Sequence, residues 1–381
     1  LYGHSIAMSA SRIDRVKSCH FGYFMEYGLR AKERKKAGFE APEVGTFLHY
    51  LLENVNRDVK ALGGYGQVSD DELRRMTKDY VSRYAAERID DFAHKSARFR
   101  YLFTRLRETA YTIILNIARE MRQSDFQPVS FELSFGGRQG DLPTITIQED
   151  GARLSVSGKV DRVDGWLHDG KLYLRVVDYK TGKKSFDLTD IRYGLGIQML
   201  LYLFTLEREG QSFFGHPIVP CGVLYQPARD VILRQDRNIS DEKLKAALQS
   251  ELRRTGLVLN DPQVLQAMEH SALESPCYLP IGVKKDGSLS GSVATAAQLG
   301  HLGRYVDKLL HQITGEIAHG NIDADPYARG PQDSACTYCP FAAACYFDEA
   351  RDKRRPLRKT DSEEFWALME KTGEEDRHGE N

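Results

Sequence analysis

Two short segments of this 381-residue chain carry side chains that could do chemistry together. One is Gly158-Lys-Val-Asp161-Arg-Val-Asp, the other Val176-Val-Asp178-Tyr179-Lys180-Thr-Gly. Each reads as a strand, and residues two apart share a strand face, so Asp178 and Lys180 stand together. A hairpin pairing brings Asp161 to the same face. Two carboxylates, with water and a phosphate oxygen, form a hard oxygen site suited to Mg²⁺. Such an ion stabilises charge on a phosphorane and acidifies an attacking water, while Lys180 orients that water or steadies the developing charge. Charged side chains in so apolar a strand need a reason to be there.

A second constellation stands near the end, Cys336-Thr-Tyr-Cys339-Pro-Phe-Ala-Ala-Ala-Cys345. Three thiolates at these spacings wrap one metal centre but leave a four-coordinate site one ligand short. Cys19 is the expected fourth, while Cys221 and Cys277 read as buried structural cysteines. Zinc and an iron–sulfur cluster satisfy the spacing equally. Six cysteines, unevenly spaced in a chain this long, point to a metal site in a reducing compartment such as the cytoplasm rather than a disulfide scaffold.

The elements that must position these residues follow from periodicity. Ser9 or Ser11 caps a first helix through Ile13, Val16, Phe21, Phe24 and Tyr27, ending at Gly28. Further helices are predicted over 44–59, 70–91 and 96–122, the last with Tyr101, Leu102, Leu106, Ala110, Ile113, Ile114 and Ile117 on one face. After Gln127-Pro128 the pattern turns to β, with strands over 129–135, 144–148, 154–166 and 172–179. The turn signals Gly136-Gly137, Asp150-Gly151 and Asp169-Gly170 separate them into hairpins. A buried helix over 197–206, a strand over 219–225 and helices over 240–253 and 294–319 complete the core. The segments expected are a helical section 1–126, a sheet-bearing core 127–320, a Cys-rich loop 321–350, and 351–381 with a basic run, a short helix over 362–371 and a disordered tail from Glu374.

Composition narrows the class. Hydrophobic residues are 41% and charged residues 28%, with 53 Lys+Arg against 54 Asp+Glu. That balance suits a globular chain and gives no global charge for nucleic acid or lipid, so an anionic partner must be met by local clusters. Such clusters occur at 30–36, 95–107 and 351–359. The second mixes cations with aromatic residues, a composition that can track a single strand by phosphate contact and base stacking. The longest apolar run, Ile197 to Leu206, is half of the roughly 20 residues a membrane span needs. The start lacks a signal peptide and an initiator Met, which suggests a fragment or processed product.

Gly-x-Val-Asp-Arg followed by Val-Asp-Tyr-Lys-Thr-Gly resembles the RecB-like branch of the PD-(D/E)xK nuclease superfamily. In that resemblance Asp161 matches the second-motif carboxylate, and Asp178 and Lys180 the Asp-x-Lys. Gly45-Thr-Phe-Leu-His49 matches the upstream helix whose His is a metal ligand, and Gln198-Met-Leu-Leu-Tyr202 the helix after the Asp-x-Lys strand. The resemblance implies an α/β fold with a mixed central sheet flanked by helices. It implies Mg²⁺ (or Mn²⁺) at His49, Asp161, Asp178 and Tyr179, and catalytic roles for Asp161, Asp178, Lys180, Gln198 and Tyr202. One early Cys with Cys-x-x-Cys-Pro and a further Cys resembles the iron–sulfur staple of AddB-type nucleases. That resemblance implies a [4Fe-4S] cluster on Cys19, Cys336, Cys339 and Cys345 that clamps the two ends. Ser9-Ala-Ser-Arg-Ile-Asp, Asp323-Ala-Asp-Pro-Tyr and Phe347-Asp are similar to the same family.

The function this implies is a Mg²⁺-dependent deoxyribonuclease module of a bacterial AddAB-type helicase–nuclease. It would process double-strand breaks for recombinational repair, cut the 5′-ended strand, and pair with an AddA-type partner and single-stranded or unwound DNA. No Gly-x-x-x-x-Gly-Lys-[Ser/Thr] phosphate loop is present, so ATP hydrolysis is not expected from this chain. A stand-alone exonuclease of the CRISPR-adaptation type, and a DNA-binding scaffold without cleavage, are the rival readings. The helical insert at Asp70 to Arg122 argues against the first, and the intact Asp161, Asp178 and Lys180 against the second.

Overall fold

A strand at Ser5–Ser9 (β1) opens the chain in the computed structural model, which describes residues 2–32, 41–89, 96–136, 140–231, 233 and 239–379. The helical reading of this end missed β1. Five residues are too few for a clear period, yet Ile6 and Met8 alternate into the core, and the strand pairs in parallel with 153–157. The section boundary expected at 126 therefore does not separate the chain start from the sheet. Helices α1 (Ala10–Ser18) and α2 (His20–Tyr23) follow, then a π turn at Phe24–Gly28. The single helix expected here is broken at Cys19, whose extended backbone (φ −172°, ψ 125°) turns the chain.

Three long helices come next, α3 (Ala41–Ala61), α4 (Asp70–Arg88) and α5 (Ala97–Met121). Phe47, Leu51, Val55 and Val59 of α3 recur every four residues and bury completely against Ile113, Ile114 and Ile117 of α5. Ser69 and Glu72 close a reciprocal capping box that fixes the start of α4. The sheet then forms from β2 (Gln127–Phe135), β3 (Ile145–Glu149), β4 (Ala152–His168) and β5 (Lys171–Lys180). Short α6 (Leu188–Arg192), α7 (Gln198–Phe214), β6 (Ile218–Pro227), α8 (Asp241–Glu251) and β7 (Thr255–Leu259) lead on to α9 (Pro262–Met268) and a hairpin of β8 (Ile281–Val283) and β9 (Leu289–Gly291). Then come β10 (Val293–Ala294) and α10 (Ala296–Ala318). Small strands β11 (Tyr327–Gly330) and β12 (Asp333–Ser334) precede α11 (Ala342–Cys345), β13 (Arg355–Pro356) and α12 (Ser362–Gly379). Helix α12 thus runs through the segment expected to be a disordered tail, and its Phe365 and Met369 are fully buried on the main core.

The eight-stranded sheet runs β1-β4-β5-β6-β7-β10, with β2 and β3 also paired to β4. Strand β4 is shared: its first part pairs with β1 and β3, its second with β2 and β5. The hairpins expected at Asp150-Gly151 and Asp169-Gly170 are present, whereas β2, expected to turn back on β3 at Gly136-Gly137, pairs with β4 instead; β5 then pairs in parallel with β6. One apolar core lies on the sheet with α1, α7, α10 and α12; a second lies within α3, α4 and α5. Among the described residues no helix is long and apolar enough to cross a membrane. Of the basic clusters, 33–36 and Lys95 lie outside the described residues. Cys221 is buried as expected, whereas Cys277 is exposed, in a loop whose backbone N–H groups are gathered by the Glu269 carboxylate.

Candidate active site

Strand β4 pairs with β5 through Arg162↔Val177, so Asp161 and Asp178 face each other one step further on. The Tyr179 N–H donates to Asp161 Oδ2 at 2.8 Å, which fixes the carboxylate against the neighbouring strand. Lys180 Nζ lies 2.6 Å from Asp178 Oδ2, as the two-residue spacing requires. Helix α3 brings in His49, whose Nδ1 is 3.4 Å from Asp161 Oδ1. The sequence therefore identified four residues that converge: His49, Asp161, Asp178 and Lys180.

The sequence reading missed Glu132. It lies on β2 opposite Asp161, with Oε1 3.9 Å from His49 Nδ1 and Oε2 paired with Lys159. Ligand atoms of His49, Glu132 and Asp161 all lie within 4.8 Å of one another, the one such group of three or more among the described residues. Glu132 holds φ +51°, a conformation that side chains other than glycine seldom adopt inside a strand. Strain of this kind persists where the surroundings over-determine it and gathers at functional sites. The only sequence signal was one acid among the apolar Phe131, Leu133 and Phe135, which says nothing until the register with β4 is known. Glu132→Gln is expected to weaken divalent-metal affinity by roughly tenfold or more, on the scale of losses at metal-site partners. Calorimetric titration with Mn²⁺ checks this, and unchanged affinity would remove Glu132 from the site.

The electrostatics suit a cation. Burial pushes the Asp178 carboxyl up to about 6, the neighbouring Asp161 adds to this, and Lys180 opposes it. Hydrogen bonding to Asp161 and Glu132 lifts His49 to about 10. Burial raises Glu132, but His49 and Lys159 outweigh it and hold the carboxyl below its ordinary value. Without metal, the imidazolium stands where the carboxylates would otherwise repel one another.

Tyr179 takes part through its backbone. Alternation along β5 turns its phenol away from Asp178 and Lys180, into the helical core, where it accepts from Arg162 (3.1 Å) and Asn56 (3.3 Å). Arg162 is itself fully buried, 2.8 Å from Asp164, which also accepts from Arg175; Arg175 reaches Glu120 of α5 at 2.9 Å. This paired network anchors the back of the two site-bearing strands to α5. Gln198 and Tyr202 sit on α7 with Gln198 Nε2 donating to the Tyr202 hydroxyl at 3.0 Å. The closeness of Tyr202 to β4 depends on Gly158, where an added Cβ would lie 2.6 Å from both the Tyr202 and the Phe135 ring. Gly158→Ala is expected to cost about 1–3 kcal/mol by overpacking and to lower any activity that needs Tyr202 in place. Denaturant midpoints check the first part.

At the other end, the four predicted cysteines are near enough for their charges to act on one another, but among the described residues no three of their sulfurs lie within 4.8 Å of one another. Burial raises the Cys336 and Cys345 thiols, and charge on Cys19 and Cys339 adds to both. Beside them His20 Nδ1 lies 2.7 Å from Asp325, Lys17 Nζ 3.4 Å from Glu316, and Arg355 Nε 3.0 Å from Asp325.

The PD-(D/E)XK nuclease superfamily profile matches residues 7–346. The chain belongs to that superfamily. As a superfamily member it carries the divalent-metal dependence common to PD-(D/E)XK nucleases, and the His49 group offers the acidic site for it. Proteins named as the B-type subunit of an ATP-dependent helicase/deoxyribonuclease are similar over nearly all of it. That of Acetivibrio thermocellus is 34% identical over 98% of this chain and 33% of its own length. That of Clostridium kluyveri is 33% identical over 97% and 33%, and that of Clostridium acetobutylicum 31% over 100% and 34%. The chain spans about a third of the length of these curated relatives.

Proposed function

We propose that this chain is the DNA-cleaving module of an AddAB-type helicase–nuclease, hydrolysing phosphodiesters of single-stranded or unwound DNA ends during double-strand-break repair. The observation that carries it is the convergence of His49, Glu132 and Asp161 beside the Asp178–Lys180 pair. One imidazole and several carboxylate oxygens make a donor set that suits Mg²⁺ or Mn²⁺. His49, Asp161, Asp178 and the Tyr179 main chain would hold that ion, with Glu132 beside them. When bound, it acidifies water and offsets charge on the phosphate.

The remaining roles belong to the chain. Lys180, aligned by Asp178, orients the attacking water and faces the charge that develops on the phosphate. Gln198 and Tyr202 form a polar pair on α7 that steadies the strand near the reacting group. Similarity to the helicase/deoxyribonuclease relatives supports an AddA-type partner, a cytoplasmic setting and cutting of the 5′-ended strand. Cys19, Cys336, Cys339 and Cys345 would carry a [4Fe-4S] cluster. The test is cleavage of an end-labelled oligonucleotide with Mg²⁺, with and without chelator. Metal-dependent cleavage is expected, and the label reports polarity. A metal-loaded chain that cuts no DNA, even with its AddA-type partner present, would leave the scaffold reading.

A further inference from the structure

Two clefts share Arg229 as a wall, one lined by Thr181 and the other by its chain neighbour Lys180. One, of ≈ 330 Å³, is apolar, walled by Val44 and Leu48 of α3, Phe103 and Leu106 of α5, Thr181 and Ala228. That volume lies within the range of small-ligand clefts, about 300–1,000 Å³. Leu48 precedes His49 and Thr181 follows Lys180 in the chain, so the cleft is built on the same two elements that carry the histidine and the lysine. The Ala228 N–H donates to the Lys180 carbonyl at 2.8 Å, and the Phe99 and Phe103 rings stack at 6.4 Å and 8°, so the walls are fixed. At its rim Arg105 is paired with Asp230, which leaves that edge neutral. The second cleft, of ≈ 340 Å³, is lined by Lys180, Lys183, Lys184, Arg229 and Arg253 against a single carboxylate, Glu251. Arg229 lines both clefts.

We propose that the two clefts together bind one unpaired nucleotide next to the scissile phosphate, its base in the apolar cleft and its phosphate in the basic one. The inference rests on the nuclease reading above and adds what the substrate must look like. A base has apolar faces that stack without regard to sequence, and its phosphate needs cations beside it; these clefts offer both, sharing Arg229, with Lys180 in the basic one. A base held in a duplex cannot enter, so the strand must be single at this position. The aromatic and cationic segment 95–107 thereby acquires a use: its Phe99, Phe103 and Leu106 form the base wall rather than a continuous stacking track.

The experiment scans an abasic residue one position at a time through a single-stranded oligonucleotide. Affinity is read by anisotropy in chelator, and cleavage with Mg²⁺. One position is expected to bind about tenfold or more weakly when abasic, the scale of one lost stacking contact. Thr109→Trp, which fills the apolar cleft, should weaken the natural oligonucleotide and abolish the difference; Leu106→Trp serves if that variant does not keep the wild-type melting temperature. A flat binding scan overturns the proposal, as does a position effect that survives either filled variant. Because binding is read without metal, absence of cleavage would count against the nuclease reading and leave the nucleotide site decided by the scan.

Discussion

Asp178→Ala is expected to lower Mg²⁺-dependent cleavage of single-stranded DNA by roughly a hundredfold to a thousandfold or more, the scale of losing one preorganised electrostatic partner. Binding of DNA in chelator should stay within about twofold, because Asp178 is buried and repels rather than attracts phosphate. Asp178 holds Lys180 at 2.6 Å and stands beside Asp161, so its removal takes away a proposed metal ligand and releases the lysine together. Folding separates this from mere damage. The Asp178 carboxyl is raised by burial to about 6, above its unfolded value near 3.9, so its ionised form costs the metal-free fold stability at neutral pH. Asp178→Asn should therefore leave the metal-free melting temperature at pH 8 unchanged or higher while abolishing cleavage. A large drop in melting temperature would mean that Asp178 serves structure instead. The same logic fixes the pH dependence of metal binding. A divalent ion must displace the proton that His49 keeps up to about 10 and any proton on Asp178 below about 6. Apparent affinity for Mn²⁺ should accordingly rise with pH across that window, with protons released on binding.

What the sequence could show here was whatever depended on local spacing. Asp178 and Lys180 share a face because strands have period two, and His49 follows Phe47 and Leu48 on a helix whose apolar residues recur every four positions. Glu132 was hidden because its role comes from a left-handed backbone angle and from the β2–β4 register, neither of which leaves a mark in residue type. The same holds for Arg162 and Asp164. In the sequence they are charges interleaved with valines, and only the alternation of β4 separates Asp161, which faces His49, from Arg162 and Asp164, buried behind it. β1 escaped for another reason: its partner lies roughly 150 residues away, and five residues of alternation do not outweigh the helical pattern that follows. The break at Cys19 reads as helix in any local window, since a single extended residue between two helical turns leaves no mark in residue type.

Cys339→Ser should remove the iron of the proposed cluster and lower the melting temperature without unfolding the chain. A cluster on Cys19 and the three later cysteines closes a loop of more than about three hundred residues, and each closure of that length restricts the unfolded ensemble. By analogy with a native cross-link, its loss costs about 2–5 kcal/mol. Opposing collapse is a second set of ties between the same chain ends. His20 reaches Asp325 at 2.7 Å and Glu316 at 3.2 Å, the Phe21 N–H donates to the Asp323 carbonyl at 2.8 Å, and Arg355 donates to the Lys17 carbonyl at 2.8 Å. Burial tends to strip the His20 proton, but the two carboxylates outweigh it and hold the ring charged up to about 9. His20 and Lys17 of these ties are buried, so the ties are expected to outlast the loss of the cluster and keep the sheet intact. Combining Cys339→Ser with His20→Ala removes both sets, and the double variant is expected to lose more stability than the two single changes added together. Iron analysis and thermal unfolding of the four proteins measure this. Strict additivity would mean that the cluster and the ion pairs hold different parts of the chain, and an unchanged iron content in Cys339→Ser would remove Cys339 from the staple. Zinc in place of iron in the unaltered protein would keep the staple and change its chemistry.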